Sequence, residues 1–148
     1  INIWEVMFMN FHILNHSMNQ TAVSAVMNCN KVSSVFGLSL TAEQAAELVQ
    51  TRSKSLKAAG RIEFGGGVIE KLVFEFCDSV YIQQSEYAEI MNEMVELFYQ
   101  FKNAVEDRLN DEELIRFMRE AFDQCNGSIE LVEGRELEKL LESLKEGK

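Results

Sequence analysis

Residues 85–109, SEYAEIMNEMVELFYQFKNAVEDRL, decide the fold class of this chain of 148 residues. Apolar side chains recur in this stretch at alternating spacings of three and four, which is typical of one face of an α-helix. The members of this stripe are Tyr87, Ile90, Met94, Leu97, Phe101 and Ala104. Further apolar residues between them widen the stripe beyond a simple coiled-coil seam. The pattern therefore predicts a central long helix, capped by Ser85 and extending over residues 86–109, that is contacted on more than one side.

Helix signals also flank this stretch. Thr41 and, three residues later, Gln44 form a capping box, and Gly60 ends the helix that they begin. Asn110 and Glu113 repeat the capping pattern. Further apolar stripes of helical spacing cover residues 21–33, 68–76, 114–125 and 137–144. Because the chain has no proline and its loops are short, we expect an all-α fold, a compact antiparallel bundle of about five to six helices.

The first seventeen residues, INIWEVMFMNFHILNHS, are apolar and almost uncharged. No Lys or Arg precedes the apolar run, as a secretory signal would require, and polar residues interrupt it well short of the roughly 20 residues of a membrane span. We expect residues 1–17 to be an extension outside the native chain, which leaves residues 18–148 as a single helical domain. Alternation over residues 9–13 predicts a strand. The alternative is a short helix packed on the body.

The net charge of −10 is concentrated in one half of the chain. Residues 75–148 carry eight basic and nineteen acidic side chains, whereas residues 41–74 carry five and four. This balance argues against nucleic acid and against an anionic membrane surface as the main partner. An acidic half is typical of a solvated helical surface, and the alternative is a face that binds cationic partners or metal ions.

Three consecutive glycines, residues 65–67, precede the helical stripe at residues 68–76. Backbone N–H groups at a helix start can bind an anion, and Arg61 and Lys71 add positive charge nearby. No phosphate-binding motif of the G-K-[ST] type follows the glycines, so the alternative is that they permit a tight backbone approach or a turn. The candidate ligand or partner contacts around this loop are Arg61, Glu63, Gly65, Gly66, Gly67, Lys71, Asp78 and Tyr81.

Other constellations favour structural roles. The stretch 122–137 resembles a calcium-binding EF-hand, but its spacing is one residue too short, and a helix corner with a glycine cap explains the same residues. His12 and His16 lie four residues apart, and two ligands without a third do not make a zinc site. The three cysteines, Cys29, Cys77 and Cys125, are far apart, which favours buried thiols over a disulfide framework or a nucleophile. We therefore expect no metal site, no cofactor and no catalytic residue.

Most of the chain after Met18 resembles a known family. The segments that carry the resemblance are GRIEFG (60–65), FCDS (76–79), FYQFKN (98–103) and DEELI (111–115). On these segments residues 36–141 resemble an uncharacterised family of small, acidic, helical bacterial proteins of the Firmicutes type, a domain of unknown function. The resemblance implies a bacterial, cytoplasmic protein and transfers no catalytic residue.

The function hypotheses follow from what remains. The leading one is a non-enzymatic, helical protein-interaction module that binds a protein partner or a second copy of itself, through apolar surface between helices and through the acidic half. Seven methionines and ten phenylalanines suit an adaptable binding surface. The alternative is a small-anion or metabolite-binding protein that uses the glycine loop with Arg61 and Lys71. A third hypothesis is a divalent-metal site among the carboxylates.

Overall fold

The computed structural model describes the backbone of residues 2–146 and the side chains of residues 2–6 and 19–146. Every regular element in these residues is helical, and six of the helices have ten or more residues, which confirms the all-α prediction. The elements are α1 (Ile3–Asn28), α2 (Asn30–Ser33), a 3₁₀ turn (Ser34–Phe36), α3 (Ala42–Ala59), α4 (Gly67–Phe76), α5 (Gln84–Ala104), α6 (Asp111–Gln124), α7 (Ile129–Leu131), a π-helical turn (Val132–Glu136) and α8 (Leu137–Glu146).

Helices α3 and α5 lie side by side and run in the same direction. At their amino ends the Gln84 side chain makes two hydrogen bonds with the backbone of Ser39, accepting from its N–H and donating to its carbonyl. Near the middle of both helices, the Thr51 hydroxyl donates to Asn92 Oδ1 at 2.7 Å. Since α4 lies between them in the chain, it must run back in the opposite direction.

Helices α4 and α6 are parallel in the same way. Lys71 near the start of α4 lies 3.8 Å from Asp111 at the start of α6, and Ser79 just after α4 donates to Asp123 near the end of α6. Consecutive helices from α3 to α6 therefore alternate in direction, as the short loops between them require. The antiparallel arrangement places the start of α4 beside the carboxyl-terminal half of α5.

The core is built around α5, as the sequence predicts. Its inward side chains are almost completely buried, among them Tyr87, Met91, Met94, Phe98 and Phe101. Large apolar groups on α3, α4 and α6 complete one continuous cluster with them. Burial on this scale supplies most of the driving force for folding, at about 25 cal/mol for each Å² of apolar surface removed from water.

Both predicted ends of α5 are wrong. Ser85 is not the cap, because the helix begins at Gln84 after an extended residue, Gln83. The helix ends at Ala104 rather than near Leu109, because Glu106 and Asp107 take left-handed conformations (φ 53° and 60°). L-residues rarely adopt these angles, and two of them in succession end the helix in a turn.

Helix α1 corrects the strand predicted over residues 9–13. It runs without interruption from Ile3 to Asn28, and the Asn2 side chain caps it by accepting from the N–H of Glu5. No proline or glycine breaks this stretch, and a helix satisfies its own backbone, whereas a lone strand does not. Ala22 and Val26 bury its carboxyl-terminal part against the body, while Ile3 and Trp4 are exposed. The side chains of His12 and His16 lie outside the described residues.

No helix among the described residues is long and apolar enough to cross a membrane.

Candidate functional site

The glycine loop surrounds a carboxylate that belongs to the protein itself. Glu63 Oε1 accepts a hydrogen bond of 2.9 Å from the N–H of Val68, in the first turn of α4. Its other oxygen, Oε2, accepts from the Tyr99 hydroxyl on α5. Arg52 of α3 places its Nη1 atom 3.9 Å from Oε1. The Glu63 carboxylate thus occupies the helix-start position that the sequence suggests for an anion.

Gly67 is required for this arrangement. It has a left-handed φ of +48°, and a Cβ added there would lie 2.2 Å from Glu63 Oε1 and 3.1 Å from Arg52 Nη1. Neither Gly60 nor Gly65 meets any atom within 4 Å when a Cβ is added. The close backbone approach that the sequence offers as an alternative to an anion site is therefore present at Gly67.

Arg52 is the most unusual side chain of the site. It is only 4% exposed, yet its Nε and Nη1 atoms have no hydrogen-bond partner. Buried polar atoms without a partner are rare in folded proteins. Burial, followed by the hydrogen bond to Glu63 and the negative charge of that carboxylate, raises the pKa of Tyr99. Tyr99 therefore keeps its proton and remains a hydrogen-bond donor toward Glu63.

Arg61 and Lys71, the two predicted cations, both have acidic partners. The Nη2 atom of Arg61 lies 2.7 Å from both carboxylate oxygens of Asp107. Lys71 Nζ lies 2.8 Å from Glu112, and this hydrogen bond raises the pKa of the lysine and lowers the pKa of Glu112. Neither cation is directed at the glycine backbone by any contact of the described residues.

A pocket of about 300 Å³ opens at Glu63, between the end of α3, residues 61–63, α5 and the start of α6. Lys102 and Asp111 form part of its wall and are joined to each other at 2.8 Å. Leu56, Ile62 and Phe98 supply apolar wall, and Arg61 and Tyr99 complete the lining with Glu63. We call this space the α4 pocket, because it lies near the start of that helix, although no residue of α4 lines it. It mixes both signs of charge with apolar surface.

Asp78 and Tyr81 lie at the other end of α4. Asp78 pairs with Arg119 of α6, and the Tyr81 hydroxyl donates to Asn126 Oδ1 at 3.1 Å. The ten residues of α4 span about 15 Å at 1.5 Å per residue, so these two side chains do not join the α4 pocket. Of the eight predicted contacts, six therefore lie around the start of α4 and two do not, and only Arg61 and Glu63 line the α4 pocket.

A second concave surface runs along α5 within the acidic half of the chain. It is a groove of about 600 Å³ between α5 and residues 127–133. Six glutamates line it, Glu86, Glu89, Glu93, Glu96, Glu130 and Glu133, and no Lys or Arg does. We call it the acidic groove. Ile90, Leu97 and Ile129 give it an apolar floor.

The acidic groove carries charge without an internal partner. None of the six glutamates forms an ion pair with any described residue, although Gln100 donates a hydrogen bond to Glu133. The pKa of Glu93 is raised, first by burial and then by the charges of Glu89, Glu96, Glu133 and Glu130. The carboxylates therefore repel one another, and the groove attracts positive charge.

Metal and thiol chemistry have little support in the geometry. Among the described residues, no group of three or more His, Cys, Asp or Glu side chains is arranged to hold a metal ion. Cys29, Cys77 and Cys125 are buried and unpaired. Burial raises the pKa of Cys29 to about 11, and burial with the nearby Asp78 charge raises the pKa of Cys77. Both shifts disfavour the reactive thiolate.

Three polar residues of the α4 pocket escaped the sequence interpretation. Tyr99 and Lys102 lie within the long helix that seemed purely structural, and Asp111 lies at the start of the next helix, where the sequence indicated only a capping pattern. A signal existed for Arg52, which occupies a position in the apolar stripe of α3 that points into the core. A charged residue at a core position implies a buried partner.

Comparison with known proteins places the chain in a family without an assigned activity. No curated protein and no solved structure matches it. One family model matches, and it covers residues 25–148, which include both the α4 pocket and the acidic groove. This is most of the chain and agrees with the resemblance drawn from the segments between residues 60 and 115. The chain therefore belongs to the family of unknown function DUF6323.

Proposed function

We propose that this protein is a non-enzymatic interaction module that binds a basic, amphipathic segment of a partner protein in the acidic groove. The observation that carries the proposal is the set of six glutamates that line the groove without a single Lys or Arg among them. A segment with lysine or arginine on one side and apolar residues on the other complements both the rim and the floor.

The stripe of glutamates on α5 lowers the stability of the free protein. Glu86, Glu89, Glu93 and Glu96 follow each other at helical spacings of three and four. Each such like-charge neighbour pair costs about 0.2–0.5 kcal/mol in a helix. A cationic partner removes this repulsion when it binds, so its charge contributes more here than at an isolated carboxylate. The same field accelerates the encounter of oppositely charged partners at low salt.

A fluorescence anisotropy titration tests the proposal, with a labelled lysine–leucine amphipathic peptide as the probe. The groove variant Glu89→Gln/Glu93→Gln/Glu96→Gln should weaken binding about tenfold, because each exposed charge pair contributes about 0.2–1 kcal/mol. A control variant, Glu120→Gln/Glu138→Gln/Glu142→Gln, changes the net charge equally on exposed helix surface outside the groove. It should bind as the unmodified protein does. Equal weakening by the two variants would show attraction to net charge alone and would overturn the proposal.

Salt dependence and self-association complete the test. Raising the salt from 0.05 to 0.5 M should weaken peptide binding, since exposed charges are screened over about 10 Å at 0.1 M. The groove could also accept a basic surface of a second copy, and light scattering over a concentration series detects this.

Three buried, unpaired cysteines suit a reducing compartment, and the proposal accordingly places the protein in the cytoplasm.

A further inference from the structure

The start of α4 holds a balanced set of charges in a protein that is otherwise strongly acidic. Six ion pairs link four basic with four acidic side chains there. They are Arg52, Arg61, Lys71 and Lys102 with Glu63, Asp107, Asp111 and Glu112. These eight side chains sum to zero, and so do the four of them that line the α4 pocket, whereas the whole chain carries −10. A site of this balance favours a ligand without net charge over a multiply charged anion.

The α4 pocket presents both signs of charge to its interior. Arg61 and Lys102 line it together with Glu63 and Asp111. An ionised carboxylate has about four acceptor sites, and Glu63 uses two of them, one for Val68 and one for Tyr99. Capacity to accept further hydrogen bonds thus remains on a carboxylate that lines the pocket.

A buried side chain of the cluster, Arg52, has hydrogen-bond donors without a partner. The Arg52 side chain is 5% exposed, and its unpartnered Nη1 atom faces Glu63 from behind, 3.9 Å from Oε1. This distance is too long for a hydrogen bond. Arg52 thus leaves unused donors against Glu63 and the start of α4, in a cluster whose exposed charges are otherwise paired. Arg52 does not itself line the α4 pocket, so its charge reaches the pocket only through Glu63.

Size and apolar lining restrict the ligand further. Ligand pockets range from about 300 to 1,000 Å³, so a volume of about 300 Å³ admits a small metabolite only. Leu56, Ile62 and Phe98 provide surface for an apolar group. The pocket shares no lining residue with the acidic groove, so the inference stands apart from the proposed function.

We propose that the α4 pocket binds a free α-amino acid with an apolar side chain. Its carboxylate interacts with Arg61 and Lys102, and its ammonium group interacts with Glu63 and Asp111. Its side chain packs on the apolar wall. This narrows the small-anion alternative drawn from the sequence, since an anion alone adds negative charge beside Glu63 and Asp111, whereas a zwitterion adds no net charge.

Isothermal titration calorimetry on the full chain tests the ligand class. The probes are L-leucine, L-methionine, L-phenylalanine and L-valine, each titrated separately. Two half-molecules of leucine serve as controls: 4-methylpentanoate lacks the ammonium group, and isoamylamine lacks the carboxylate. Each should bind about tenfold or more weakly than leucine or the best of the four amino acids, because each loses a charged hydrogen bond. Failure of all four amino acids to bind overturns the proposal. Equal binding of 4-methylpentanoate or of inorganic phosphate also overturns it, in favour of an anion site.

Variants then locate the binding site. Arg61→Gln and Asp111→Asn alter partly exposed residues of the pocket wall and should each weaken amino-acid binding about tenfold. Asp78→Asn, at the far end of α4, is the matched control and should leave binding unchanged. Circular dichroism confirms that each variant is folded. Unchanged binding by both folded pocket variants, or an equal loss in the control, would contradict the proposed site.

Discussion

Replacement of Gly67 by alanine should lower the free energy of unfolding by about 2.5–5 kcal/mol, which is large for the addition of a single methyl group. The new Cβ would lie 2.2 Å from Glu63 Oε1, far inside contact distance, and 3.1 Å from Arg52 Nη1. The Glu63 carboxylate must therefore move away from the Val68 N–H, which donates a hydrogen bond of 2.9 Å to it.

The magnitude has two parts. Alanine in the left-handed conformation of Gly67, φ +48°, costs about 1–2 kcal/mol. Displacement of Glu63 breaks at least one hydrogen bond to a charged group, at about 1.5–3 kcal/mol. The matched control is Gly65→Ala, because Gly65 is also left-handed, at φ +60°, but its Cβ would meet nothing within 4 Å. Only the first part applies to the control.

Urea unfolding followed by circular dichroism measures both variants. The melting temperature gives a second readout, and at about 3 °C for each kcal/mol the two variants should differ by roughly 5 °C or more. A double variant separates the two parts: in a Glu63→Ala background, Gly67→Ala should cost only about 1–2 kcal/mol, because the displaced carboxylate is gone. Free energies of unfolding for Gly67→Ala and Gly65→Ala that agree within about 0.5 kcal/mol would refute the reasoning.

The remaining predictions concern other charges and turns, and urea unfolding checks each of them. Arg52→Met should cost about 3 kcal/mol, and the double variant Arg52→Met/Glu63→Gln should cost less than the two single changes together, because neither charge is left unpaired. Glu93→Gln should stabilise the protein by roughly 0.5–1 kcal/mol at pH 7 by removing repulsion from two helical neighbours. Since the folded-state pKa of Glu93 is raised, its charge destabilises the fold above that pKa, and the gain should vanish below its ordinary value of 4.5. Glu106→Gly should stabilise by about 0.5–1 kcal/mol by relieving a left-handed φ of 53°, and a loss of stability would contradict the turn.

Local signals explain why so much of the helical architecture could be predicted. The capping box of Thr41 and Gln44 forms both of its hydrogen bonds, and Asn110 accepts from Glu113 as its spacing suggests. In each case the partners lie three residues apart, so the sequence contains the whole interaction. The apolar stripe of α5 is equally self-contained, because helical periodicity alone determines which side chains share a face.

The errors arise where a distant residue decides the outcome. The first residue of α5, Gln84, is fixed by hydrogen bonds to Ser39, which lies 45 positions earlier. The role of Arg52 depends on Glu63, and their meeting depends on the path of a glycine turn that no spacing rule specifies. The separation of Asp78 from Glu63 could have been predicted from the sequence, because a ten-residue helix between two side chains holds them about 15 Å apart.

The π-helical turn at residues 132–136 makes the carboxyl terminus sensitive to chain length rather than to composition. Gly134 within it has open space where a side chain would be, so alanine there disturbs no neighbour. Loss of one residue from the same turn would rotate everything beyond it by about 100°, since a helix has 3.6 residues per turn. Leu137 and Leu140 would then leave the core that they pack against. The extra residue of this wider turn therefore sets the rotation of α8 about its axis, so that Leu137 and Leu140 face the core formed by the preceding helices.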